Sequence, residues 1–107
     1  MYSVTKRDGK VVGFELDKIK DAIIKAFEAC DRQYNPEVID FLVLKVTSDF
    51  EPKIENGTIS VEKIQDSVES VLSKAGYDDV SKAYILYRKQ HEKLRNISDV
   101  GRQTFFI

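Results

Sequence analysis

Four stretches of the chain repeat apolar residues at helical spacing, each with its own start and stop signals, and together they leave room for little besides a helical cluster. In the first, Ile19, Ala22, Ile23, Ala26 and Phe27 follow the i, i+3, i+4, i+7, i+8 rule, with Asp17 as the N-terminal cap. In the second, Asn35-Pro36-Glu37 reads as a cap, a first-turn proline and an acid at the positive end of the helix dipole. Ile39, Leu42, Val43, Val46 and Phe50 form its stripe, and the additional Phe41 and Leu44 make it the helix expected to be most buried. The third starts at the cap Ser60, runs through Val61, Ile64, Val68, Val71 and Leu72, and stops where Gly76 suits a left-handed C-terminal cap. The fourth opens at Asp78. Val80, Ala83, Tyr84, Tyr87, His91 and Leu94 share its face, Arg88, Lys89, Glu92, Lys93 and Arg95 crowd its later turns, and the period fades from Asn96.

The remaining segments read as short strands. Tyr2 to Lys6 and Val11 to Phe14 are rich in aromatic and β-branched residues and flank Arg7-Asp8-Gly9-Lys10. A two-residue Asp8-Gly9 turn places Arg7 opposite Lys10 and Lys6 opposite Val11, and alternation then sends Lys6 and Arg7 to opposite faces. Pro52 and the Asn56-Gly57 pair end the second helix in a turn, after which Thr58-Ile59-Ser60 offers a third strand to the exposed edge of the hairpin. The sum is an α+β domain over residues 1–95, a four-helix cluster capped by a small three-stranded sheet. Residues 96–107, ending Phe105-Phe106-Ile107, read as a tail or a linker to a missing domain.

Composition narrows the function classes. At 107 residues, 42% hydrophobic and 33% charged, the chain supplies one core but too few residues for most enzymes with large cofactors. No apolar run approaches the ~20 residues of a membrane span, so a soluble protein without membrane attachment is expected. Seventeen Lys plus Arg against 18 Asp plus Glu give no bulk attraction to nucleic acid, so DNA is a disfavoured partner. One cysteine excludes an internal disulfide and a Cys-rich zinc site, and the first residues lack a secretory pattern, so a reducing cytoplasm is the expected location. Phosphate-loop, dinucleotide, His-Glu-x-x-His and Cys-x-x-Cys signatures are absent. His91 reads as a half-exposed helical position, and Cys30 as a small hydrophobe at a helix end.

The feature with chemical content is cationic. Lys6 and Arg7 end one strand, and Phe14 to Ile19 carry the next into a helix whose first N–H groups lie at the positive end of a dipole. Such a junction holds phosphate oxygens, Lys6, Arg7 and Lys18 add charge-assisted bonds, and Ile19 gives an apolar wall. If the third strand joins the sheet, it brings Val61, Ile64 and Gln65 to the same place. Composition and spacing stop at a small domain with an anion site; the ordinary role of the stripes, and of Tyr84 and Tyr87, is core.

Taken in order, Val4-Thr5-Lys6-Arg7-Asp8-Gly9, the Phe14 to Ile19 segment, Gly57 to Gln65, and Ala83-Tyr84-Ile85-Leu86-Tyr87-Arg88-Lys89 resemble the ATP-cone family. The resemblance covers about Ser3 to Glu92. It implies a regulatory module, not an enzyme in itself, that binds ATP or dATP, with Mg2+ as companion, and controls a ribonucleotide reductase, an oxidoreductase. By position, it assigns Lys6, Arg7, Lys18 and Lys89 to phosphates, Val4, Phe14, Ile19, Val61 and Ile64 to the base, and Glu15 to the base or sugar. Gln65 stands where some family members have His. The continuation Tyr87-Arg88-Lys89-Gln90-His91 to Ile97 is most similar to the anaerobic glycyl-radical reductase, whose catalytic barrel does not fit in this length; an excised domain or a free-standing cone is expected. The implied partners are a reductase catalytic domain and a nucleotide-dependent homo-oligomer. Two alternatives stand beside this: an interaction module with a decayed nucleotide site, and the cone of a reductase-gene repressor, the latter disfavoured because no cysteine pair precedes Met1.

Overall fold

The N-terminal hairpin turns through three residues rather than two. Strands β1 (Ser3–Thr5) and β2 (Val11–Gly13) pair antiparallel with Val4 against Val12. Lys6 N–H donates to the Lys10 carbonyl at 2.8 Å and Gly9 N–H to the Lys6 carbonyl at 2.9 Å, which sets Lys6 opposite Lys10. The two-residue turn fails because it needs two left-handed residues. Only Gly9 takes that conformation, at φ 90°, while the Asp8 carboxylate accepts from Lys10 N–H at 3.0 Å. The result is a type I turn closed by a glycine bulge, one residue out of the expected register. Arg7 sits in the turn, where strand alternation does not act, and it is not sent to the face opposite Lys6.

The computed structural model describes residues 2–100, with side chains through Gln90. In it the third strand forms: β3 (Thr58–Ser60) runs parallel to β1, with Ile59 beside Val4, giving the order β2-β1-β3. A single 3-10 turn at Glu51–Lys53 and the Asn56-Gly57 turn deliver it. Both turn residues have positive φ, 53° and 76°, and Glu55 and Thr58 exchange backbone bonds of 2.9 and 3.0 Å around them.

The helices are α1 (Leu16–Ala29), α2 (Pro36–Phe50), α3 (Val61–Lys74) and α4 (Asp78–Val100). Asn35 caps α2 by accepting from Val38 N–H at 2.9 Å, and Ser60 caps α3 by accepting from Lys63 N–H at 3.4 Å. Asp17 does not cap α1. Phe14 N–H still bonds the Tyr2 carbonyl, and the chain then turns at once into the helix, which leaves Glu15 at the cap position and Asp17 already in the first turn. The α1 stripe is buried at Ile19, Ile23, Ala26 and Phe27.

Each helix packs against two others, α1 and α3 both against α2 and α4, so the four close into a ring. Phe27, Phe50, Ile23, Ile39, Leu42 and Leu72 are fully buried inside it, each worth roughly 1.5–3 kcal/mol of burial. Val4 and Ile59 press the sheet down onto this core, and β2 overhangs it with all three residues exposed. Contrary to the expectation for α2, Phe41 and Leu44 are 55% and 64% exposed, because they lie on the face of that helix turned away from its neighbours α1 and α3. Helix α4 continues past Asn96 to Val100. The side chains of His91 and Leu94, the charges that follow them, and residues 101–107 lie outside the described residues. Among the described residues, no helix is long and apolar enough to cross a membrane.

Candidate functional site

Strand β2 runs into α1 and strand β3 into α3, so two helix starts lie beside the central strand and a cleft of about 440 Å³ opens between them. Its apolar lining includes Val4, Phe14, Ile19, Val61 and Ile64. Its polar lining includes Lys6, Arg7, Glu15, Lys18 and Gln65. These ten residues come from β1 and its turn, the β2–α1 junction and the first turns of α3, and only the parallel β1–β3 pairing brings the last group to the others. Phe14 is anchored as it reaches the cleft, with its ring 4.7 Å from Tyr2 and 5.7 Å from Phe50.

Lys89 lies elsewhere. It is exposed and does not line the cleft, whereas Arg88, Tyr84 and Tyr87 of α4 do, as do Val12 and Lys25. Sequence reasoning left those residues to the core or to bulk charge. The signal was present in Ala83-Tyr84-x-x-Tyr87-Arg88, since positions 84, 87 and 88 share one helical face and position 89 turns away from it.

The two cleft arginines are both engaged. Arg7 donates Nη2 to Gln65 Oε1 at 3.3 Å and holds Nη1 3.2 Å from Glu62 Oε2. Arg88, with 17% of its side chain exposed, donates Nη1 to Asp66 Oδ1 at 3.2 Å and to Glu69 Oε2. Burial works against the Arg88 charge, but the bonds to Glu69 and Asp66 outweigh it and hold its pKa above the ordinary value. Burial pushes the neighbouring Tyr84 phenol up as well, against the opposing pull of Arg88. Among the described residues, Lys6 and Lys18 make no ion pair. Glu15 makes no side-chain cap bond to α1, so first-turn N–H groups of that helix remain available beside Lys18.

An apolar wall, an uncapped helix start and several cations in one cleft have the chemistry to take a ligand that joins an apolar ring to an anionic group. The sequence profile of the ATP cone domain matches residues 2–93. The chain belongs to that family. The cone is 38% identical over 94 residues to the vitamin B12-dependent ribonucleoside-diphosphate reductase of Mycobacterium tuberculosis, covering 86% of this chain and 13% of that protein. It is 36% identical to the ribonucleoside-diphosphate reductase subunit alpha of Chlamydia pneumoniae, over all of this chain and 11% of that one. It is 32% identical to the anaerobic ribonucleoside-triphosphate reductase of Salmonella typhimurium, over 83% of this chain and 12% of that one. The likeness thus includes the anaerobic class without being confined to it, and this cone spans only a small part of each relative's length. Among the described residues, no group of three or more His, Cys, Asp and Glu side chains is placed to hold a metal ion.

Proposed function

We propose that this cleft binds ATP or dATP as an effector and that the cone regulates a ribonucleotide reductase catalytic domain without catalysing a reaction itself. Domains of this family bind such effectors. The observation that carries the reading here is the convergence of apolar and cationic residues from three segments on one cleft of nucleotide size. Val4, Phe14, Ile19, Val61 and Ile64 suit the base, and Glu15, which lines the same cleft, suits the base or sugar. Lys6, Arg7, Lys18 and the start of α1 suit the phosphates. Arg88, rather than Lys89, is the cation that α4 supplies. Mg2+ would arrive on the phosphates.

The relatives' names support the reductase as the regulated partner. Regulation requires two packings of the cone, against the catalytic domain or a second copy, that ATP and dATP stabilise unequally. The cations are in place, which supports a working site over a decayed one. Calorimetry with ATP and dATP in magnesium tests the reading: saturable heat with each is expected, and no heat and no thermal protection at millimolar nucleotide would sink it.

A further inference from the structure

We propose that α3 carries a built-in competitor for the cleft arginines, so that incoming phosphates must displace its side chains before gripping both guanidinium groups. This rests on the reading that the cleft takes a nucleotide. Glu62, Gln65, Asp66 and Glu69 stand at i, i+3, i+4 and i+7 and form one polar ridge on α3. Arg7 reaches it from the hairpin turn, at Glu62 and Gln65. Arg88 reaches it from α4, at Asp66 and Glu69. One helix face therefore holds guanidinium groups from two other elements, and both groups line the cleft.

The physical argument turns on exchange. An arginine cannot shed its charge, and one as enclosed as Arg88 is costly to leave without a partner. With the cleft empty, the ridge supplies that partner and keeps both arginines paired and positioned. A triphosphate offers more negative charge and more acceptor oxygens than the ridge carboxylates, so it takes the donors over. Exchange frees the ridge and removes two ties, turn to α3 and α4 to α3, so occupancy of the cleft loosens contacts between elements that belong to the ring. Lys6 and Lys18, which have no such tie, grip phosphate without this consequence.

Glu69→Gln keeps the shape and removes the charge. Measured by calorimetry on the intact chain, it is expected to bind ATP roughly fivefold more tightly than the wild type, the scale of one partly buried pair. Asp21→Asn removes a cleft carboxylate that has no ion pair to either arginine among the described residues, and so measures the background field; less than about twofold is expected. Glu62→Gln tests the more exposed half of the ridge, with a smaller tightening. Without nucleotide, Glu69→Gln should melt below the wild type, and saturating ATP should close the gap. If the wild type binds ATP but both ridge variants bind equally or more weakly, or the gap persists at saturation, the ridge keeps its arginines in the bound state. The competitor is then overturned while the nucleotide site stands. If the wild type binds neither ATP nor inorganic triphosphate, the site itself falls and the competitor with it.

Discussion

Arg32 and Arg88 are both held by carboxylates, yet only Arg88 of the two lines the cleft. Arg32, in the loop after α1, places Nη1 2.8 and 2.9 Å from the two oxygens of Asp79 at the start of α4, and its guanidinium lies 4.8 Å over the Tyr77 ring. Tyr77 packs 5.2 Å from Phe27, which packs 5.8 Å from Tyr34, so aromatic rings back the pair on one side while water reaches the other. At Arg88 the rings of Tyr84 and Tyr87 leave a cleft instead. The same charge chemistry ties two elements together on the solvated surface at Arg32 and lines the wall of a cleft at Arg88, where the proposed exchange can act.

The largest test of that contrast is Phe27→Ala, which removes the buried ring beneath the Arg32 end. A fully buried phenylalanine in contact with two tyrosine rings should cost about 3–5 kcal/mol in a urea titration. A loss below about 1 kcal/mol would mean the aromatic end is not part of the core. Next comes Arg88→Gln, expected to weaken ATP binding by about 1.5–3 kcal/mol, the scale of bonds to a charged group. Lys6→Ala and Lys18→Ala should each cost about 1–3 kcal/mol of affinity on the same argument. Lys89→Ala should leave the dissociation constant unchanged; equal losses at positions 88 and 89 would return the phosphate contact to the outer face of α4.

The two ends also respond to opposite extremes of pH. Burial raises the Tyr84 pKa, so the folded state favours the neutral phenol; its contribution is complete below the ordinary tyrosine range and is lost as pH rises above about 10. Melting scans should show a fall there that Tyr84→Phe reduces. Asp79 behaves in the reverse sense. The bond from Arg32 lowers its pKa against the opposing effect of burial, so the pair stabilises above the ordinary aspartate range, near about 4, and is lost as pH falls through the lower folded value. Arg32→Gln should flatten that acid limb slightly, the smallest effect of the series because both groups are solvated. An acid limb of unchanged steepness would remove the pair from the account of this end.

Most of the fold was legible because its determinants are local. The apolar stripes, the Asn35 and Ser60 caps and the Asn56-Gly57 turn each need only a few adjacent residues to act. The hairpin register was not, since Asp8-Gly9 fits two loop lengths and the choice falls to which residues tolerate the left-handed conformation. The exchange of Lys89 for Arg88 has a similar origin: one step along a helix is a large rotation, and packing against α1 and α3 sets which residue faces the cleft. The outward Phe41 and Leu44 were invisible for the complementary reason, because an apolar residue does not announce which neighbour is missing. Ten of the expected cleft residues nonetheless converge, because the order of strands and helices in the three segments was readable even where the turn between β1 and β2 was not.

The Thr5 and Thr58 hydroxyls meet at 3.2 Å although 53 positions separate them, which makes the central seam of the sheet a long-range closure. Closing a span of this length costs chain entropy before the contact repays it, and non-local pairing of this kind slows folding. The cleft, whose α3 side depends on that seam, is therefore expected to assemble late and to be complete only in the native state. An effector that binds there acts on the folding equilibrium itself: at a hundred times its dissociation constant it adds about 2.7 kcal/mol to native stability. On the proposed reading, a supply of adenine nucleotide would hold this domain folded, and its depletion would expose the domain to unfolding as well as to a change of signal.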